Sequence, residues 1–208
     1  MSLYGRIFAA MYDRLMAGTE EAGLGDRRHE LLSSATGRVL EIGAGTGVNL
    51  AHYPDAVSEL VLTEPEEPMA KRLERKAESA AGSRRVSVVR AAAESLPFPD
   101  DSFDTAVCTL VLCTVRDPER TLAELERVLK PGGSLLFLEH VRSDDPALAR
   151  WQDRFAPLWR RIGHGCNPNR PTPDFIRSRF EGTEMTEAEL PKSPPIVRPL
   201  RIGRAVAP

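Results

Sequence analysis

The segment from Arg38 to Leu50 reads RVLEIGAGTGVNL, an apolar run that closes on an acid and passes at once into glycines at 43, 45 and 47. Glycine has no Cβ, so it adopts positive φ and lets backbone approach a ligand closely, at the cost of extra entropy lost on folding. Three glycines on alternate positions behind such a run predict a strand, a tight loop and a helix, with a ligand lying against the loop. The spacing is G-x-G-x-G, and Glu41 precedes Gly43 by two. A dinucleotide fingerprint reads G-x-G-x-x-G and seats a pyrophosphate on the helix N-terminus. A carboxylate beside the loop disfavours a pyrophosphate and favours a cationic ligand, which argues against a nicotinamide cofactor.

Short apolar runs recur at Arg38–Ile42, Glu59–Thr63, Arg85–Arg90, Phe103–Leu110 and Ser134–His140. Rich in Val and Leu, they suit parallel strands buried on both faces. The best-marked helix lies in RDPERTLAELERVLKPGG, with Asp117 as N-cap, Pro118 at the first helical position and Gly132 past the end. Leu122, Leu125, Val128 and Leu129 then share the face that packs on the sheet. This rhythm predicts an α/β fold, doubly wound, with a mostly parallel sheet and helices on both faces. After His140 a helix is expected from Asp145-Pro146, carrying Trp151, Phe155 and Trp159, then the loop GHGCNPNRPT and a short helix from Thr172-Pro173 to about Arg179. A final strand is expected after Pro199, because proline removes a ladder donor.

The 208 residues suit one domain, read as 1–208 with a helical lid over 1–34 and substrate-side helices and loop over 141–180. A net charge of −2 supplies no attraction to nucleic acid, which is disfavoured as a partner, and no nucleic acid is expected. No apolar run reaches the roughly 20 residues of a spanning helix, and no secretory signal is recognised, so a cytoplasmic location is expected. Cys108, Cys113 and Cys166 show neither C-x-x-C nor a Cys/His cluster at zinc spacing, so no metal is expected and the thiols read as free. Tyr4, Ile7, Phe8, Met11, Tyr12, Leu15 and Met16 recur at near-helical spacing. Such a helix can close over a ligand, pack on the core or make weak contact with a membrane surface.

Open α/β sheets bind ligands at the carboxyl ends of their strands, and Glu41, Glu64 and Glu94 are expected there. Glu64, in LVLTEP, follows the first loop glycine at the distance from which an acid accepts hydrogen bonds from ribose hydroxyls.

The set VLEIGAGTG, LTEP, AAAESLPFPDDSFD and RVLKPGG resembles the class I methyltransferases that use S-adenosylmethionine (SAM), over about Leu31 to His140. The resemblance implies a seven-stranded sheet with an antiparallel last strand. It implies SAM as cofactor and S-adenosylhomocysteine as product. The loop with Glu41, Gly43, Ala44, Gly45 and Gly47 would hold the methionine part, Glu64 the ribose, and Ala92-Ala93-Glu94 the adenine. Asn49, Pro65 and Thr109 complete the implied cofactor set. Where the family often has an acid, this chain has Ala92, so backbone groups would read the adenine amine.

The acceptor is expected to be a small, apolar molecule. After the fourth strand TLVLCTV replaces the Asn/Asp-Pro-Pro-aromatic clamp of base and amide N-methyltransferases. The second half resembles the methyltransferase-like family whose mammalian members methylate small thiols, and is similar to bacterial phospholipid and quinone methyltransferases. A thiol is therefore favoured, with a quinone or phenol and a phospholipid amine as alternatives, and a non-catalytic SAM-binding regulator as a reading of another class. His140 is the candidate catalytic group, to orient the acceptor or take its proton. Tyr12, Leu110, Trp151, Trp159, His164 and Arg170 are the candidate substrate contacts, with Trp151 and Trp159 equally readable as core or lid residues. Cys166 reads as a buried structural thiol, because methyl transfer from SAM is direct.

Overall fold

Strands that are apolar on both faces need helices on both sides, and the chain supplies them. The structure is a computed structural model and describes residues 13–14, 16–80 and 84–208. Its strands are β1 (Gly37–Ile42), β2 (Val57–Thr63), β3 (Arg85–Val89), β4 (Phe103–Thr109), β5 (Leu129–His140), β6 (Glu181–Glu189) and β7 (Pro199–Val206). They form one seven-stranded sheet in the order β3-β2-β1-β4-β5-β7-β6. Neighbours from β3 through β5 pair in parallel, while β7 runs antiparallel to both β5 and β6. The helices are α1 (Gly25–Leu32), α2 (Glu67–Ala80), α3 (Pro118–Val128), α4 (Pro146–Ile162) and α5 (Thr172–Arg177).

Alternate residues of each central strand face opposite layers. Leu40, Ile42, Ala106, Cys108, Leu135 and Phe137 pack with Leu122, Leu125 and Val128 of α3. Val39, Leu60, Leu62, Val107, Leu136 and Leu138 pack with Leu31 and Leu32 of α1 and Leu73 of α2 on the other face. Strand order reverses between β1 and β4, where Ile42 pairs with Cys108. At such a reversal the loops part and leave a crevice at the strands' carboxyl ends.

Asp117 caps α3 as expected, its side chain accepting from the Arg120 N–H at 3.0 Å. The helix stops at Val128, four residues before Gly132. Leu129 is already extended (ψ 142°) and pairs with Phe103, and the Lys130–Gly133 segment is a bulged start of β5. β7 starts at Pro199 itself, the first residue of a strand, where a missing N–H costs least. β6 was not expected: EGTEMTEAE has no apolar alternation, because this edge strand buries neither face fully.

α4 is fastened through Gln152, which is fully buried. Its Nε2 donates to the carbonyls of Val141, Pro168 and Ile196 at 2.9–3.1 Å, and its Oε1 accepts from the Ser143 N–H at 2.8 Å. One side chain thus ties the segment after β5, the loop before α5 and the approach to β7. Gln152→Leu keeps the volume but strands these groups, so urea unfolding should show a loss of about 2–3 kcal/mol; a loss below about 0.5 kcal/mol would contradict the staple.

Candidate functional site

The crevice begins with the glycine loop after β1. Gly43, Gly45 and Gly47 have φ of 56°, 58° and 81°, all in the left-handed region. The three differ in what a side chain would meet. A Cβ at Gly43 would lie 2.8 Å from a Val111 methyl, and one at Gly47 2.7 Å from Leu50. At Gly45 nothing comes nearer than the Gly43 carbonyl at 4.0 Å, so this residue faces open space. Packing therefore explains two glycines, and the third leaves a surface on which a ligand can rest against bare backbone.

Buried carboxylates hold this loop in shape. Glu64, just past β2, accepts from the Gly45 N–H and the Glu66 N–H, each at 2.9 Å. Each oxygen keeps a lone pair for a further donor such as a ribose hydroxyl. Burial raises the Glu64 carboxyl above its ordinary range, and the two amides oppose that. Glu41 is 2% exposed and spends its oxygens on Asn49 Nδ2 (2.9 Å) and Tyr53 Oη (2.7 Å). Burial raises its carboxyl too, against those two hydrogen bonds. Glu41 thus braces the short helical turn Val48–His52, with its carboxylate turned into the protein.

Arg28 of α1 completes that brace and was not singled out from the sequence. Its guanidinium is buried and donates to Asn49 Oδ1 (3.0 Å) and Thr109 Oγ1 (2.9 Å), while its Nε pairs with Glu20. Asn49 also donates to Thr109 at 3.0 Å. A lone arginine in an N-terminal helix reads as solvated surface, which hid it. Asp13 bonds Thr46 of the loop and pairs with Lys76 of α2 at 3.0 Å.

The Ala92–Glu94 turn follows β3. Ala93 is buried, Ala92 is exposed, and Glu94 accepts from the Arg116 N–H at 2.8 Å. Pro65 is exposed beside Glu64. Glu94 lies five residues past Val89, not at the strand end, and its carboxylate is committed to the loop before α3.

Beyond β4 and β5 the chain builds a second wall. Leu110 directly follows β4 with φ 60°, a strained conformation for leucine of the kind that gathers at functional sites. Glu139 is fully buried and accepts from three successive amides, Val111 (2.8 Å), Leu112 (3.0 Å) and Cys113 (3.3 Å). His140 ends β5 and is 8% exposed. Its Nδ1 lies 3.6 Å from Cys113 Sγ and 3.5 Å from Cys166 Sγ, and its Nε2 is buried with no partner among the described residues. The sequence separates these three residues too widely for a zinc-like spacing to show, but the fold brings them together.

The loop after α4 closes on the same peptide. Asn167 donates from its backbone to the Cys113 carbonyl at 2.8 Å, and Arg170 donates to the Leu112 carbonyl. Partial burial lowers the Arg170 guanidinium from its usual value. Arg170, a candidate substrate contact, is therefore anchored on backbone. His164 is a non-glycine residue with φ 49°. Trp159 is half-buried against Gly163, its indole N–H lacking a partner among the described residues. Trp151 is not brought to the strand ends: it is 55% exposed and stacks on Phe155 (ring centroids 5.4 Å apart), because Ala149, Gln152 and Ala156 take the inner face of α4. Tyr12, with the rest of residues 1–12 and residue 15 of the expected N-terminal lid, lies outside the described residues.

Residues 40–137 match a family described as a methyltransferase domain. The chain is 36% identical to the thiol S-methyltransferase TMT1B of Homo sapiens over 83% of this chain and 70% of that protein. It is 33% identical to the thiol S-methyltransferase TMT1A of Homo sapiens over 96% and 82% of the two chains. Among solved structures it resembles a SAM-dependent methyltransferase of Thermotoga maritima, described as a possible histamine N-methyltransferase, with a TM-score of 0.72, 25% identity and 98% of each chain covered.

The glycine loop yields a direct test on the ligand-free protein. Gly45→Ala should cost only the left-handed strain of about 1–2 kcal/mol, whereas Gly43→Ala adds a clash with Val111 worth about 1–3 kcal/mol more. Equal losses in urea unfolding would contradict the distinction between a packed glycine and a ligand-facing one.

Proposed function

Since the chain belongs to the class I SAM-dependent methyltransferases, we propose that it transfers the methyl group to a small, apolar thiol. The observation that carries this reading is the likeness to two thiol S-methyltransferases along most of their length, well beyond the cofactor-binding half. SAM supplies a methyl group already activated on a sulfonium, so the protein's task is to position an acceptor and exclude water.

The residues divide that task. Gly45 gives the methionine part a bare surface, with Gly43, Ala44 and Gly47 shaping the loop around it. Glu64 accepts from the ribose hydroxyls through the lone pairs its two amides leave free. Pro65 and the Ala92–Glu94 turn border the adenine, which backbone groups read where Ala92 offers no acid. Asn49 and Thr109 act through the Arg28 and Glu41 brace that fixes the loop.

On the acceptor side, Leu110 and Trp159 offer apolar surface to a small molecule, with His164 and Arg170 at the loop that closes beside them. His140 Nδ1 already faces two sulfurs, so a third sulfur arriving there meets the same nitrogen, which orients it or takes its proton. A thiol has a pKa near 8.5, so removing that proton raises the share of the nucleophilic thiolate at neutral pH.

No described helix is long and apolar enough to cross a membrane. Three unpaired cysteines suit a reducing compartment, and we place the protein in the cytoplasm on that ground. For a weak membrane-surface contact α4 is a further candidate: Trp151, Phe155, Leu158 and Ile162 form an exposed apolar stripe flanked by Arg150, Arg154 and Arg161.

The test is methyl-labelled SAM with the purified protein and a panel of small thiols, quinols and ethanolamine lipids, following label in the organic extract. Label on a thiol as the S-methyl thioether is the expected result. Label only on a quinol or a lipid amine would overturn the thiol reading in favour of that acceptor.

A further inference from the structure

Cys113, His140 and Cys166 come from three separate segments, yet their ligand atoms all lie within 4.8 Å of one another. All three side chains are buried. Zinc binds thiolate sulfur at about 2.3 Å and imidazole nitrogen at about 2.0–2.1 Å, which for tetrahedral geometry sets a nitrogen-to-sulfur edge of about 3.6 Å. The two edges measured here, 3.5 and 3.6 Å from His140 Nδ1, match it.

We propose that Cys113 Sγ, Cys166 Sγ and His140 Nδ1 form a binding site for a thiophilic divalent ion of the zinc class, with the fourth position open to an exogenous ligand. Two sulfurs and one imidazole select a soft or borderline ion over magnesium or calcium. Charge supports the same class. On binding, the two thiols release their protons to solvent, and two thiolates neutralise a divalent ion, so the filled site carries no net charge into a buried environment. Coordination through Nδ1 fixes the imidazole proton on Nε2.

The cage is built before any ion arrives. Glu139, next to His140, fixes the peptide that carries Cys113 through three amide hydrogen bonds. Asn167, next to Cys166, fastens the other loop to the Cys113 carbonyl through its backbone N–H at 2.8 Å and its side chain at 3.2 Å. The peptide held by Glu139 also carries Val111, whose side chain packs against Gly43 of the glycine loop. The site is therefore one short peptide away from the loop assigned to the methyl donor.

Resting on the thiol reading above, the open position takes the acceptor sulfur. The ion then does what Nδ1 would do alone: the thiol ionises on binding, its proton leaves to solvent, and the one negative charge this adds to the neutral site is offset by the methyl donor's sulfonium. The thiolate's electron pair forms the new bond to the methyl carbon as the bond from that carbon to the sulfonium sulfur breaks. The products are a thioether and S-adenosylhomocysteine, and the ion is unchanged.

The first experiment adds cobalt(II) to the reduced, chelator-treated protein. The expected result is a thiolate-to-cobalt charge-transfer band in the near ultraviolet with intense visible bands of a four-coordinate ion, saturating at one ion per chain and abolished by zinc. Only the weak bands of hydrated cobalt would overturn the site. Cys113→Ala and Cys166→Ala should each weaken binding by more than about tenfold, whereas Cys108→Ala, which alters a thiol outside the cluster, should keep the signature. Equal binding in all three variants would overturn the assignment.

Should a cluster variant fail to fold, alkylation of the wild-type protein followed by mass spectrometry replaces it. Zinc should shield Cys113 and Cys166 and leave Cys108 unchanged; no shielding, or a Cys113–Cys166 disulfide in place of metal binding, overturns the proposal. Addition of a small thiol to the cobalt form should shift the charge-transfer band. Persistence of the cobalt signature with no S-methyl product from any thiol removes the thiol reading and leaves the metal site standing.

Discussion

The hydrogen bond from the Gly45 N–H to the buried Glu64 carboxylate joins the ends of β1 and β2, and the rest of the crevice is arranged around it. An ionised carboxylate is costly to bury unless donors surround it. The chain meets that cost with loop amides. Glu64 takes those of Gly45 and Glu66, and Glu139 at the end of β5 takes three from the loop after β4. Each acid is thereby held by hydrogen bonds from the loop it positions, which oppose the upward push of burial, and each loop gains a fixed shape from a rigid strand end. Glu41 follows the same logic with side chains as donors, fixing the turn that follows the glycines.

This arrangement separates the two halves of the crevice without uncoupling them. The glycine loop, Glu64 and the Arg28 brace lie over β1, β2 and the end of β4, where they present backbone and acceptor oxygens. The wall made by Leu110, Cys113, His140 and Cys166 lies over β4 and β5, with Leu110 half-buried and the two thiols and the imidazole buried behind it. Val111 touches both, through its packing on Gly43 and its amide on Glu139. A displacement of the peptide after β4 therefore changes the shape of the glycine loop as well as the wall over β4 and β5.

Much of this was legible in the amino-acid order because it is local. Strand runs buried on both faces, the Asp117-Pro118 cap and the glycine spacing are short-range patterns with a single physical reading, and they placed the five parallel strands, α3 and the loop with Glu41 and Glu64. What sequence could not show is made by distance in the chain. Arg28 reaches Thr109 across 81 positions, and His140 meets Cys113 and Cys166 from 27 and 26 positions away. β6 escaped because an edge strand full of glutamate carries no apolar period. Trp151 misled because an aromatic near a suspected site looks functional until the buried Gln152 sets which face of α4 turns inward.

The central claim is that the glycine loop and Glu64 together form a nucleoside-bearing cofactor site, and calorimetric titration with S-adenosylhomocysteine tests it most directly. The account predicts saturable binding at one site per chain in the wild-type protein. In Glu64→Ala it predicts affinity weaker by about 1.5–3 kcal/mol, roughly 10- to 150-fold, the size expected for lost hydrogen bonds to a charged acceptor. Wild-type protein that binds no S-adenosylhomocysteine, or a folded Glu64→Ala variant that binds it as tightly as wild type, would contradict the account.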